Sequence, residues 1–423
     1  MLSLICNNPP PVFRPKARMT QSILRPALVL GLISAIGPFA IDMYLPAMPT
    51  IGAALGTDAA GMQLTLSAYF IAFGLAQLIY GPWADQAGRK PPLYAGMVFF
   101  ALGTVLCIFA PSLGWLIFGR FVQGLGGASL GVVPRAIVRD MMTGAEATRL
   151  MAAIMLVFSV SPMLAPLAGS GILRVASWHW IFAALLVACG ISALLLTFLQ
   201  PETLAPENRR PLNARFLVRG TGDLFRDKPY LLLTFIGAFG FASFMIFLAA
   251  STYVYTQSFG LNPTQFSLAF AANAIFFFAS SQTASWAGQR FGVRKVLVTA
   301  AVWFFVADGL LFLLALAGMA TLVPTVLLLG LGNAGLGLII PTTMVMALDA
   351  QGEKAGLASS LGGTLQMLTG AALAGAVGPF LNGTPLPMLA GVALAAAITL
   401  ILTLIAMRGH AAVERASEDR TPA

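Results

Sequence analysis

Two stretches of this chain carry no acidic or basic side chain: Pro229–Gln289, 61 residues, and Ala355–Met407, 53 residues. A helix needs about 20 apolar residues to cross the hydrocarbon core of a bilayer. Each stretch therefore holds two crossings and an uncharged turn. Over the whole chain 9% of residues are charged and 58% apolar, against about 25% and 45–50% in soluble domains. At 423 residues a soluble protein would make about three domains of ~150 residues, and none of them would need this balance. The chain reads as an all-α membrane protein.

Apolar runs bounded by Gly, Pro or charge predict twelve spans: 24–45, 62–84, 92–110, 113–135, 149–172, 179–199, 230–256, 265–287, 294–317, 320–345, 355–379 and 386–407. The net charge of +9 then reports topology rather than nucleic-acid binding. Of the 24 Lys+Arg, 21 fall in the two tails and the 2–3, 4–5, 6–7, 8–9 and 10–11 loops; the opposite loops hold one, Arg174. Basic residues favour the cytoplasmic side, which predicts cytoplasmic termini. The first apolar run, Ile23–Ile41, follows Arg14, Lys16 and Arg18 like a signal peptide. It lacks a small-residue cleavage site, and Asp42-Met43-Tyr44-Leu45-Pro46 follows it, so it reads as a retained span. Met19 is an alternative start. Cys6, Cys107 and Cys189 are odd in number and give no disulfide framework or metal spacing.

The expected organisation is a disordered cytoplasmic N-tail (1–22), a six-helix bundle (23–199), a polar cytoplasmic linker (200–228), a second six-helix bundle (229–407) and a cytoplasmic C-tail (408–423). The bundles are related. Gly124-Leu125-Gly126-Gly127-Ala128-Ser129-Leu130-Gly131 matches Gly330-Leu331-Gly332-Asn333-Ala334-Gly335-Leu336-Gly337 at an offset of 206. Trp83-Ala84-Asp85-Gln86-Ala87-Gly88-Arg89-Lys90 matches Trp286-Ala287-Gly288-Gln289-Arg290-Phe291-Gly292-Val293-Arg294-Lys295 at 203 to 205. Two matches at one period indicate duplication, and a site between two six-span repeats is a transporter plan.

The glycines recur in both halves, as close helix packing in lipid requires; the intramembrane charges do not. Charge within a bilayer must be paired or face a water-filled cavity, so unrepeated charges are candidates for function. Asp42, in the outer half of span one, leads them. Low dielectric favours its neutral form, which would let it take up and release a proton; the alternative is an Asp wetted at the helix end. Arg120 in span four is the second, either a cation that helps expel that proton or a structural donor to neighbouring carbonyls. Asp308 in span nine is the one deep charge of the second half. Arg135, Arg139 and Asp140 read as an ion-pair cluster with the 2–3 loop. Tyr44, Gln63, Tyr69, Phe241, Phe244, Asn273 and Gln366 are expected to line an aromatic cavity with few polar groups, suited to amphipathic compounds and poor for sugars. No HExxH or Walker A motif occurs; no enzyme activity, metal or cofactor is expected, and any transport would be gradient-driven.

Several of these segments resemble the major facilitator superfamily. Gly81-Pro82-Trp83-Ala84-Asp85-Gln86-Ala87-Gly88-Arg89-Lys90 is similar to its 2–3 loop signature, Arg120 with Gln123-Gly124-Leu125-Gly126 to its fourth-span motif, and Ala165-Pro166-Leu167-Ala168-Gly169 to its fifth-span antiporter motif. Asp42-Met43-Tyr44-Leu45-Pro46-Ala47-Met48-Pro49 and Arg139-Asp140 resemble the Bcr/CflA group of drug:proton antiporters. The resemblance spans about residues 24–407. It implies two bundles rocking about a central cavity in a bacterial inner membrane, with drug leaving as protons enter; the protein is expected to work as a monomer. It assigns Asp42 as the protonatable carboxylate and Arg120 as its assistant. Gly81, Asp85, Gly88, Arg89, Lys90, Arg139 and Asp140 would form a cytoplasmic latch, with Asp85 near the start of span eleven. Pro162, Pro166 and Gly169 would form the antiporter bend. Ala165 and Ser170 stand where that motif usually has glycines, which leaves room for a transporter of an endogenous metabolite, such as an amino-acid derivative or siderophore. A non-transporting sensor on the same scaffold is the third class.

Overall fold

The computed structural model describes residues 24–142, 144–209 and 214–418; the expected N-tail lies outside them. The helices are α1 (Leu24–Asp42), α2 (Met48–Leu55), α3 (Ala59–Ala87), α4 (Lys90–Ile108), α5 (Leu113–Met141), α6 (Gly144–Val175), α7 (His179–Leu199), α8 (Ala214–Arg226), α9 (Lys228–Tyr253), α10 (Pro263–Phe291), α11 (Val293–Leu316), α12 (Leu322–Asp349), α13 (Ala355–Val377) and α14 (Pro385–Glu418). Twelve of them, all but the short α2 and α8, correspond to the twelve expected spans. Among the described residues eleven helical segments are long and apolar enough to cross a membrane. The exception is α10, which is 29 residues long. Thr264, Gln265, Ser267, Asn273, Ser280, Ser281, Gln282 and Thr283 lower its hydropathy, not its length, and it packs between α6 and α12.

Local chemistry sets the helix ends. Asp58 caps α3 by accepting from the Gly61 N–H at 2.9 Å. Asn262 and Gln265 form a reciprocal capping box at α10, with Pro263 in the first turn, where its missing N–H is not needed. Most helix ends lie within about six residues of expectation; two differences are larger. The last helix runs to Glu418 rather than ending at 407, and the 200–228 linker contains a helix of its own, α8.

Within the first half α3 and α4 pack on α5; within the second α10 and α11 pack on α12, and α13 and α14 pack on α9. The repeated glycines lie at these seams. A Cβ on Gly124 would fall on the Tyr69 carbonyl oxygen, and one on Gly126 on the Gly96 carbonyl oxygen. Gly337 in the second half meets the Phe277 carbonyl in the same way. Helices in lipid gain by close backbone approach, which is why the glycines survived duplication.

The halves meet along α3 with α13 and along α6 with α10. The described hydrogen bonds between them collect at the end away from the linker. There Thr252 Oγ1 donates to the Leu45 carbonyl (3.1 Å), Tyr253 Oη to Met48 (3.3 Å) and Ser267 Oγ to Pro166 (2.9 Å). Arg174 Nη2 donates to Thr264 Oγ1 (2.8 Å) and Gln63 Nε2 to the Ala374 carbonyl. Thr364 Oγ1 to the Gly74 carbonyl, 2.7 Å, joins the halves at mid-depth. This structure is sealed at the far end.

Candidate functional site

Arg120 is fully buried on α5, and Asp42 is 4% exposed as the last residue of α1. Burial of a guanidinium demands partners, and four groups supply them. Arg120 Nη1 donates to the Ala40 carbonyl at 3.0 Å and to Gln123 Oε1 at 2.5 Å. The rings of Tyr44 and Tyr69 stand 4.8 and 4.6 Å from its central carbon, an aromatic cage of the cation–π kind. The network continues outward: Gln123 Nε2 donates to Thr104 Oγ1 (2.8 Å), which donates to the Phe100 carbonyl (2.6 Å). Tyr44 donates to Thr65 Oγ1 at 2.8 Å, since the Thr65 proton goes to the Met62 carbonyl.

Arg120 thus makes the carbonyl contact that the structural alternative foresaw, on the helix turn that carries Asp42. Its Nε and Nη2 have no hydrogen-bond acceptor. Among the described residues Asp42 makes no hydrogen bond or ion pair. The structure holds a buried carboxyl and a buried cation with two unused donors, both tied to the end of α1 but not joined.

Four of the residues expected to line a cavity are closed inside packing. Tyr44 and Tyr69 form the arginine cage, because a buried guanidinium attracts the nearest ring faces. Gln63 belongs to the far-end seal with Ala374. Asn273 is buried on α10 and donates to the Ala269 carbonyl of its own helix at 3.1 Å. The remaining three are half-buried, with side-chain contacts within the second half. Phe244 packs against two buried apolar clusters and stacks on Phe277, with centroids 6.0 Å apart. Phe241 touches α13 near Gly370, and Gln366 Nε2 reaches the Gly237 carbonyl at 3.4 Å. Asp308 is 2% exposed on α11 and faces Gly332 of α12, with Oδ1 unpartnered; it is not at the lipid edge.

Pro162, Pro166 and Gly169 are buried on α6. Pro166 lacks an N–H, and its carbonyl receives the Ser267 hydroxyl of α10. A Cβ on Gly169 would strike the Met43 carbonyl oxygen, so this glycine lets α6 approach the α1 end beside Asp42.

At the linker end, Arg89 gathers the charges. Its Nη1 bonds Asp85 at 2.5 Å, and its Nε and Nη2 bond the two Asp140 oxygens at 2.6 and 3.1 Å. Burial would lower the Arg89 pKa, but the Asp140 and Asp85 carboxylates outweigh it and the net shift is upward. Asp85 makes no hydrogen bond or ion pair with α13 here; Gly81, one turn earlier, lies opposite Ser360. Arg139 is exposed with no such partner among the described residues. The Lys90 ammonium stands 6.0 Å from the Tyr94 ring centroid.

The sequence reading missed Glu202, which follows α7. It accepts the backbone N–H groups of Arg89 (2.9 Å), Lys90 (3.0 Å), Thr203 (2.9 Å) and Leu204 (3.0 Å). Desolvation pushes its carboxyl up, and these four donors pull it further down, below the usual carboxylate value. Gly88, with φ +100°, sits under it, and a Cβ there would lie 2.8 Å from Glu202 Oε2. The signal was Pro201-Glu202-Thr203 directly after an apolar span: a helix stop followed at once by an acceptor.

The family model described as Major Facilitator Superfamily matches residues 30–256, more than half of the chain. The chain belongs to the major facilitator superfamily. A second family model, MFS/sugar transport protein, matches residues 145–412. Three curated superfamily relatives span most of the chain. Uncharacterized MFS-type transporter YdgK of Bacillus subtilis is 31% identical, covering 83% of this chain and 88% of its own. Bicyclomycin resistance protein homolog of Haemophilus influenzae is 30% identical, covering 85% and 90%. Multidrug resistance protein D of Escherichia coli is 30% identical, covering 69% and 79%. These relatives support the Bcr/CflA group. The solved D-xylose-proton symporter shares the fold, with a TM-score of 0.73 at 12% identity over 91% of this chain and 97% of that one. As a member of the major facilitator superfamily the protein is a multi-pass membrane transporter, not an enzyme.

Proposed function

We propose that the protein exports small amphipathic drugs in exchange for protons across a bacterial inner membrane, as a monomer with both termini in the cytoplasm. The names of the Haemophilus influenzae and Escherichia coli relatives support drug export. The observation that carries proton coupling is the separated pair: Asp42 buried without a partner, and Arg120 holding the Ala40 carbonyl two residues away with two donors free. A neutral carboxyl can stay unpaired in low dielectric; an ionised one cannot. Losing its proton would drive Asp42 to seek the free Arg120 donors. That would pull the α1 end against α5 and disturb the seal that Leu45 and Met48 make with Thr252 and Tyr253.

With the far end sealed, this arrangement suits the cytoplasm-facing half of an alternating-access cycle. Drug would then meet Phe241, Phe244 and Gln366 between the halves. Arg89, Asp85, Asp140, Lys90 and Gly88 would re-form the latch on the other half of the cycle, with Asp85 moving towards the start of α13. A helix N-terminus favours a carboxylate.

The test is Asp42→Asn in proteoliposomes with an imposed pH gradient and a drug panel. The amide has the same shape and cannot titrate, so the protein should insert and bind drug but neither export it nor dissipate the gradient. Unchanged gradient-driven efflux would remove Asp42 from the mechanism. Drug accumulation that is equal with and without the wild-type protein would instead point to a metabolite as cargo.

A further inference from the structure

The linker helix α8 packs one face on the bundle. Leu224 is buried in the second-half core with Tyr230 and Ala358, and a Cβ on Gly220 would press on Leu357. Its neighbours are the first turns of α9 and α13, where the apolar crossings Lys228–Ser258 and Ala355–Phe380 begin. This places α8 at the level where hydrocarbon gives way to headgroups.

Among the described side chains, the opposite face of α8 is uncovered, and its chemistry is ordered. Val218 is 73% exposed and Phe225 50%; seven residues apart, they share one ridge of the helix. Arg219 and Arg226, both exposed, form the next ridge, and exposed Lys228 follows. Asp223 is held at 2.5 Å by Lys354 and lies in the field of both arginines. Asp227 accepts from Gln351 Nε2 at 2.8 Å. The acidic groups are therefore engaged, and the arginine ridge stays positive. An apolar ridge beside a basic one, on a helix at the membrane surface, is complementary to an anionic phospholipid: apolar side chains at the acyl boundary, guanidinium groups on phosphate.

We propose that α8 is a lipid-contacting helix, with Val218 and Phe225 at the acyl boundary and Arg219 and Arg226 on the headgroups of anionic phospholipid. The contact bears on gating, because Asp223–Lys354 and Asp227–Gln351 tie α8 to the turn before α13, the helix that packs on α3 across the halves.

The test uses the full chain with Cys6→Ser and Val218→Cys carrying an environment-sensitive fluorophore; Cys107 and Cys189 are buried. In vesicles of phosphatidylcholine plus phosphatidylglycerol, a shallow lipid nitroxide should quench the probe and aqueous iodide should not. Native mass spectrometry of the unlabelled full chain should show phosphatidylglycerol retained over phosphatidylcholine. Arg219→Gln and Arg226→Gln, at exposed positions, should each lower that preference about fivefold. A probe open to iodide overturns the proposal, as does one shielded from iodide but untouched by the lipid nitroxide, which would mean protein cover. So does a phosphatidylglycerol preference that is absent or indifferent to the two arginines.

Discussion

Gly88→Ala should loosen the 2–3 loop through two separable effects, and the structure gives the size of each. The backbone at Gly88, φ +100° and ψ 169°, lies in a region almost confined to glycine, where another residue costs on the order of 2 kcal/mol. The new Cβ would also lie 2.8 Å from Glu202 Oε2 and displace the carboxylate from the Arg89 and Lys90 N–H groups. Hydrogen bonds to a charged acceptor contribute about 1.5–3 kcal/mol each; partial exposure puts these at the lower end, about 3 kcal/mol for the two. Gly88→Ala should therefore weaken the loop by about 5 kcal/mol, and Glu202→Ala by about 3. The double variant should also lose only about 5, because once Glu202 is gone the methyl meets no carboxylate. The assay is hydrogen–deuterium exchange of the peptide holding the Arg89 and Lys90 amides, where 3 kcal/mol is roughly a hundredfold in rate. Wild-type exchange in Gly88→Ala, or effects that add fully in the double variant, would refute the reasoning.

The same amides report pH. The Glu202 carboxyl is held below its usual value when folded, so its contribution is complete above the ordinary glutamate range and is lost as pH falls through the lower folded value. Protection of the Arg89 and Lys90 amides, corrected for intrinsic exchange, should persist through pH ~4.3 and fail only below it. Arg120→Lys keeps the charge but cannot serve Ala40, Gln123 and two ring faces together; gradient-driven efflux should fall at least tenfold at normal membrane expression, checked in proteoliposomes. Gly169→Ala puts a methyl on the Met43 carbonyl, an overpacking of about 1–3 kcal/mol, visible as a lower thermal midpoint in detergent.

The scaffold was readable because lipid leaves a chain few options: spanning segments announce themselves by length and apolarity, and glycine seams repeat where helices touch. Asp42 and Arg120 stood out as charges in apolar runs. Their surroundings did not, because a tyrosine lining a cavity and a tyrosine caging a guanidinium look alike in sequence; Tyr44 and Tyr69 were read as the first and are the second. Gln63 was legible as polar within a span, but only the fold shows the Ala374 carbonyl opposite it. α10 was legible as a span although its own hydropathy falls short. Glu202 and α8 were hidden by the reading of 200–228 as a linker. Leu217, Gly220 and Leu224 already had helical spacing there, without a visible surface to receive them.

The two ends of the transporter carry contacts of unlike materials. Away from the linker the fasteners are mostly neutral hydroxyl and amide groups on main-chain oxygens, which can let go one after another without stranding a charge. Beside the linker the bonded charges, Arg89 with Asp85 and Asp140, all lie within the first half; in the proposed latch, guanidinium and carboxylate groups, sensitive to dissolved ions, would close that end. Raising salt should therefore brake one half of the turnover cycle and leave the other nearly untouched.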